Sequence, residues 1–156
     1  MNARIASIAA ALALAFAMGP VAAADYEPAK PDRLSPARAL IAEGKWAAAI
    51  EELQRVNDAG SADWNNLMGY SLRKGKTPDY VAAERFYDEA LRIEPKHRGA
   101  LEYSGELFLM TGRLDKAEQR LVALDKACFL PCGEYTTLKN AIAQYKANGA
   151  KPVASR

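Results

Sequence analysis

Trp46, Tyr80 and Leu114 stand 34 residues apart, and the same offset relates Ala49, Ala83 and Ala117, then Leu53, Tyr87 and Leu121, then Val56, Ala90 and Leu124. A recurrence of that length fits one helix-turn-helix unit, which cannot bury its apolar face alone and must stack on copies of itself. Within each copy the spacing is i, i+3, i+7, i+10, so the four positions share one face of an α-helix. A small alanine in the second position lets a neighbouring helix come close. A second helical segment precedes each of the later copies, at Asn65 to Leu72 and Leu101 to Met110, with Gly69 and Gly105 at matching points. These glycines are 36 residues apart, and the two additional residues fall in the turn Gly75-Lys76-Thr77-Pro78-Asp79, whose counterpart Thr111-Gly112-Arg113 is shorter. A turn absorbs such an insertion at small cost.

With these columns aligned, the chain resembles the tetratricopeptide repeat family, whose pattern has a glycine in the first helix, alanine then an aromatic residue in the second, and a closing proline. Gly69, Ala83, Tyr87, Ala90 and Pro95 carry it in the second copy. The third has Gly105, Phe108, Ala117, Leu121 and Leu124, with leucine for the aromatic and its proline displaced to Pro131. The first copy is abbreviated: Ser35-Pro36 reads as an N-cap and first-turn proline, leaving a short helix up to Glu43 before Gly44. The resemblance spans roughly Ser35 to Leu130 and implies an all-α, right-handed solenoid of about two and a half repeats. Leu138, Ala141, Ile142 and Tyr145 recur at i, i+3, i+4, i+7 before Gly149 and Pro152, which predicts a final helix capping the exposed end of the stack. The repeat domain is expected over 35–148, with a tail over 149–156.

The first 24 residues read as a secretory signal peptide, with Arg4 ahead of an apolar run from Ile5 to Met18 and small residues from Val21 to Ala24. At about 1.5 Å per residue the run is too short to span a bilayer core of about 30 Å. Cleavage after Ala24 leaves a chain expected in the periplasm, with no stable membrane insertion, and residues 25–34, polar and carrying Pro28 and Pro31, read as a flexible leader. Taking Arg4 from the 21 Lys and Arg leaves 20 against 19 Asp and Glu. That balance, without a basic cluster, argues against nucleic acid as a partner.

Cys128 and Cys132 are the only cysteines and lie where the third repeat must end and the capping helix begin. In an oxidising compartment two thiols this close are expected to form a disulfide, and the small loop contributes about 2 kcal/mol by chain entropy. Two alternatives stay open. The pair is also a soft ligand set for Cu(I), with His97 or Met110 as further ligands, which would make the chain a metal chaperone. A catalytic dithiol would more often be spaced Cys-x2-Cys at a helix start after a strand, and no strand pattern is present.

Enzyme chemistry has little support, and no cofactor is expected. His97, the sole histidine, lies in the turn Pro95-Lys96-His97-Arg98 away from any nucleophile motif and is expected to be solvent-exposed at a helix start. Glu51-Glu52 and Asp88-Glu89 diverge by about 100° on their helices and read as solvated surface. In the family that the chain resembles, the first helices line a concave groove that binds proteins or peptides. Carried over by register, the exposed groove residues are expected to be Arg38, Asn66, Tyr70, Arg73, Lys74, Glu102 and Glu106, basic early and acidic late. Family members that clamp a terminal carboxylate use Lys, Asn and Arg from successive repeats. Glu102 and Glu106 in the third repeat speak against such a clamp. The reading is a non-enzymatic adaptor for a protein or peptide, and a structural part that self-associates as a homo-oligomer is the remaining alternative.

Overall fold

A computed structural model of the chain describes residues 31–130 and 132–151. The expected signal peptide over residues 1–24, the expected leader up to residue 30, the tail beyond residue 151 and Pro131 lie outside the described residues. Among those described there are seven α-helices and no strand: α1 Ser35–Ala42, α2 Trp46–Val56, α3 Ala62–Lys74, α4 Tyr80–Ile93, α5 Arg98–Met110, α6 Leu114–Ala127 and α7 Gly133–Ala147. Helices α1 and α2, α3 and α4, and α5 and α6 pair as three successive hairpins, and α7 packs on both α5 and α6. The first hairpin is the half-length one, since α1 has 8 residues where α3 and α5 have 13.

Local chemistry sets these boundaries. The Ser61 hydroxyl accepts from Trp64 N at the start of α3, Asp79 accepts from Ala82 N at the start of α4, and Gly44 and Gly112 take left-handed φ values of 69° and 76° in the two short turns. At α1 the cap differs from expectation. Ser35 is the first helical residue, the Asp32 carboxylate accepts from Leu34 N, and Leu34 is buried among Ala37, Leu53 and Val56. Arg33 donates to the Val56 carbonyl at 3.0 Å. Ordered packing therefore starts upstream of Ser35, because a buried leucine and a buried carbonyl both need what precedes it.

The repeat columns share environments. Ala49, Ala83 and Ala117 are fully buried, as are Leu53 and Tyr87, while Leu121 is partly buried against the last core cluster. Trp46, Tyr80 and Leu114 are all half-buried. The two first-helix glycines mark close approaches. A Cβ on Gly69 would lie 2.8 Å from the Tyr87 ring and 3.1 Å from the Ala83 carbonyl, and one on Gly105 would lie 2.6 Å from the Leu138 side chain. The second glycine thus seats the capping helix. At that corner Cys128 is the C-cap of α6 and Cys132 the N-cap of α7, with their sulfurs bonded at 2.05 Å.

Candidate binding face on the first helices

Tyr70, near the middle of α3, begins an aromatic ladder. Its ring meets Trp46 edge-on with centroids 5.8 Å apart and lies tilted on Tyr103 of α5 at 4.6 Å. Arg73, almost one helical turn further on, places its guanidinium 5.4 Å from the Tyr70 centroid and 5.6 Å from that of Tyr103. Its Nη2 pairs with Glu106 Oε2 at 2.8 Å and its Nη1 approaches the Met110 sulfur at 3.7 Å, leaving the residue only 3% exposed. Burial works against the charge on Arg73, but its neighbours, the Glu106 carboxylate among them, outweigh it and raise the guanidinium above its ordinary range. The Tyr87 hydroxyl lies against that guanidinium without hydrogen-bond geometry, so both it and Arg73 Nε are buried with no partner. Lys74 Nζ sits 5.9 Å from the Trp46 ring centroid. Burial, with Glu102 next to it, pushes the Tyr103 phenol up to about 12.

Glu102, one turn before Glu106 on α5, is 9% exposed, and among the described residues no cation lies within ion-pair distance of it. Burial first, then the carboxylates of Glu106 and Glu134, raise its carboxyl to about 7, with Arg73 opposing them. Asn66 on α3 is buried against the first turn of α5. Its Nδ2 lies 3.0 Å from where a Cβ on Gly99 would stand, and its Oδ1 has no partner.

The expected set is therefore brought together in part. Asn66, Tyr70, Arg73, Lys74, Glu102 and Glu106 share the face formed by α3 and α5, but Asn66, Arg73 and Glu102 are buried rather than exposed. For Arg73 the reason is Tyr103, which register reasoning passed over and which closes on Tyr70 beside the guanidinium; for Asn66 it is the first turn of α5 at Gly99. Arg38 is exposed yet engaged, pairing with Asp63 Oδ2 at 2.8 Å and Asp32 Oδ2 at 3.6 Å. The basic start of the face is thereby neutralised. Asp63 Oδ1 also meets His97 Nε2 at 2.9 Å, while His97 Nδ1 accepts from Ala100 N at 3.0 Å as the N-cap of α5. With Nδ1 an acceptor, Nε2 carries the proton and donates to Asp63. Although burial works the other way, His97 and Arg38 hold the Asp63 carboxyl below its usual range. His97 sits at a helix start as expected, but its side chain is only 11% exposed, because it ties α5 to α3. Asp63 and His97 are 34 residues apart, the repeat period itself, and that offset was the available signal.

The opposite face, built by the second helices, uses similar parts. Arg113, Lys116 and Arg120 surround the Phe108 ring at 4.7, 5.2 and 5.5 Å. Arg113 pairs with Glu84 at 2.7 Å, Lys116 with Glu84 at 3.6 Å and Arg120 with Asp88 at 2.8 Å. Between the starts of α3 and α5 and the disulfide loop, Asp63, Glu94, Lys96, His97 and Arg98 line an open cleft of about 970 Å³, with Phe129 and Leu130 of that loop exposed. His97 and both cysteines thus share one cleft. Both His97 ring nitrogens are occupied, Met110 lies against Arg73, and no cluster of three metal-ligating side chains occurs among the described residues.

No protein-family model and no curated protein matches the sequence. The fold is similar to the crystal structure of the Yersinia enterocolitica type III secretion chaperone SycD, solved in complex with a peptide of the translocator YopD. The TM-score is 0.61 at 19% sequence identity, covering 74% of this chain and 91% of that one. The described residues form an all-α helical-repeat solenoid with a tetratricopeptide-like fold.

Proposed function

We propose that this chain is a non-enzymatic adaptor that seats an extended segment of a protein along the groove formed by α3 and α5, after export to the periplasm. The observation that carries the reading is the ladder of Trp46, Tyr70 and Tyr103 with buried polar atoms beside it that lack partners, at Asn66 Oδ1, Arg73 Nε and Tyr87 Oη. Unpartnered buried polar atoms are rare in a folded chain, and half-buried aromatic rings with a few polar groups placed beside them are the usual anatomy of a recognition surface. Lys74 at one end and Glu102 at the other give a bound segment a direction. The SycD fold holding a peptide supports the same reading, and the apolar start of residues 1–24 supports export.

Selection from a phage-displayed random dodecapeptide library on the mature chain tests the groove. Peptides enriched on wild type should lose at least tenfold in affinity against a Tyr70→Ala, Lys74→Glu double variant. They should keep it against Val81→Glu, a change at an exposed valine on α4. Failure to enrich any sequence, or equal binding to the groove variant, rejects the reading. For the compartment, the N-terminal sequence of the exported chain should start near Asp25.

A further inference from the structure

Three carboxylates, Glu102, Glu106 and Glu134, lie along α5 between its neighbours α3 and α7, and two guanidinium groups pair with two of them. Arg73 is taken by Glu106 at 2.8 Å, and Arg98 faces Glu134 at 3.5 Å. Glu102 is left over. It is nine-tenths buried, it comes from a helix that lines the groove, and the rings of Tyr70 and Tyr103 close by supply an apolar wall. A carboxylate held out of water without a cation is unfavourable, and a chain that keeps one at a binding surface gains by receiving the missing charge from its ligand.

We infer that the Glu102 carboxylate is a specificity pocket for one lysine or arginine side chain of the bound segment, whose methylene stem lies along Tyr70 and Tyr103 while its charged head pairs with Glu102. This rests on the groove reading above and narrows it to segments with a basic residue at one fixed position. Arg73 does not repel the incoming cation strongly because Glu106 already neutralises it, and a stem packed on aromatic rings keeps its charge near the surface. The groups that face Glu102 set its response to pH: Glu106 and Tyr103 on its own helix, Glu134 and the Thr137 hydroxyl from α7, and Arg73 and Tyr70 from α3. Since burial, Glu106 and Glu134 hold the carboxyl near 7, the pocket is mostly neutral at pH 6 and mostly ionised at pH 8. The cation should therefore bind about tenfold more tightly at the higher pH.

The test uses the dodecapeptides selected on wild type at pH 8, remade with norleucine in place of the basic residue. Wild type should select Lys or Arg at one position and lose tenfold or more to the norleucine peptide. Glu102→Gln should select no such residue and bind the two peptides within about twofold, with its pH dependence between 6 and 8 abolished. Glu102→Asp should recover part of the preference, which separates a charge effect from a folding defect. Enriched peptides without a fixed basic residue overturn the inference, as does a lysine preference that survives in Glu102→Gln. Either result leaves the groove reading intact, because that reading falls only if no peptide is enriched or if the Tyr70→Ala, Lys74→Glu variant binds normally.

Discussion

On the second-helix face Arg113 lies 4.7 Å from the Phe108 centroid with Glu84 at 2.7 Å, and Arg120 reaches Asp88 at 2.8 Å. On the first-helix face Arg73 lies about as far from Tyr70 and Tyr103 and pairs with Glu106 at 2.8 Å. Both faces join successive hairpins by laying an arginine on an aromatic ring beside a carboxylate. The remainders differ. Each cation around Phe108 pairs with a carboxylate, Arg113 and Lys116 sharing Glu84, and only Arg120 Nε lacks a partner. Around Tyr70 a carboxylate, an amide oxygen, a phenol and an arginine nitrogen are left over. A face whose polar groups are nearly all paired is a joint, whereas one with unpaired groups fits the binding role proposed above.

The contrast can be broken by removing each arginine. Arg73→Ala strips Glu106 of its partner and opens a void beside the buried Tyr87, so unfolding free energy should fall by about 3 kcal/mol. Arg113→Ala, at a pair roughly a quarter to a third exposed, should cost about 1 kcal/mol. Urea unfolding of the two variants side by side decides the matter: equal losses would mean that both faces are ordinary joints.

Gly105→Ala probes how firmly the capping helix holds the acidic end of the groove. The new methyl would meet Leu138, which is fully buried and cannot swing away, so a loss of about 2 kcal/mol is expected. A neutral result would show that α7 shifts freely and that Glu134 does not stand fixed beside Glu102.

The smallest effect sharpens the contrast by pH. The Glu102 carboxyl keeps its proton in the folded chain up to about pH 7, against an ordinary value of 4.5. Between those values the native state binds more protons than the unfolded one, so stability falls as pH rises through the window. Glu102→Gln removes that slope. Thermal melts should show no difference from wild type at pH 4.5 and a gain of about 1 kcal/mol, a few degrees, at pH 8, the figure being held down by partial solvent access. No gain at pH 8 would mean that Glu102 is well solvated.

The 34-residue columns at Ala49, Ala83 and Ala117, and the turn that absorbs two residues at Gly75 to Asp79, were legible because period and turn chemistry are local properties of the chain. So were the capping helix and the membership of Tyr70, Arg73, Glu102 and Glu106 in one face. What tertiary structure alone decided is which of those polar groups are satisfied. Register places a side chain on a face but does not say what the next hairpin lays over it. Tyr103 buries Arg73, Asp63 claims both Arg38 and His97, and Glu102 is left without a cation. Pairing across a stack depends on helix separations of a few ångströms, set by Gly69, Gly99 and Gly105 together, and no single stretch of sequence carries that sum.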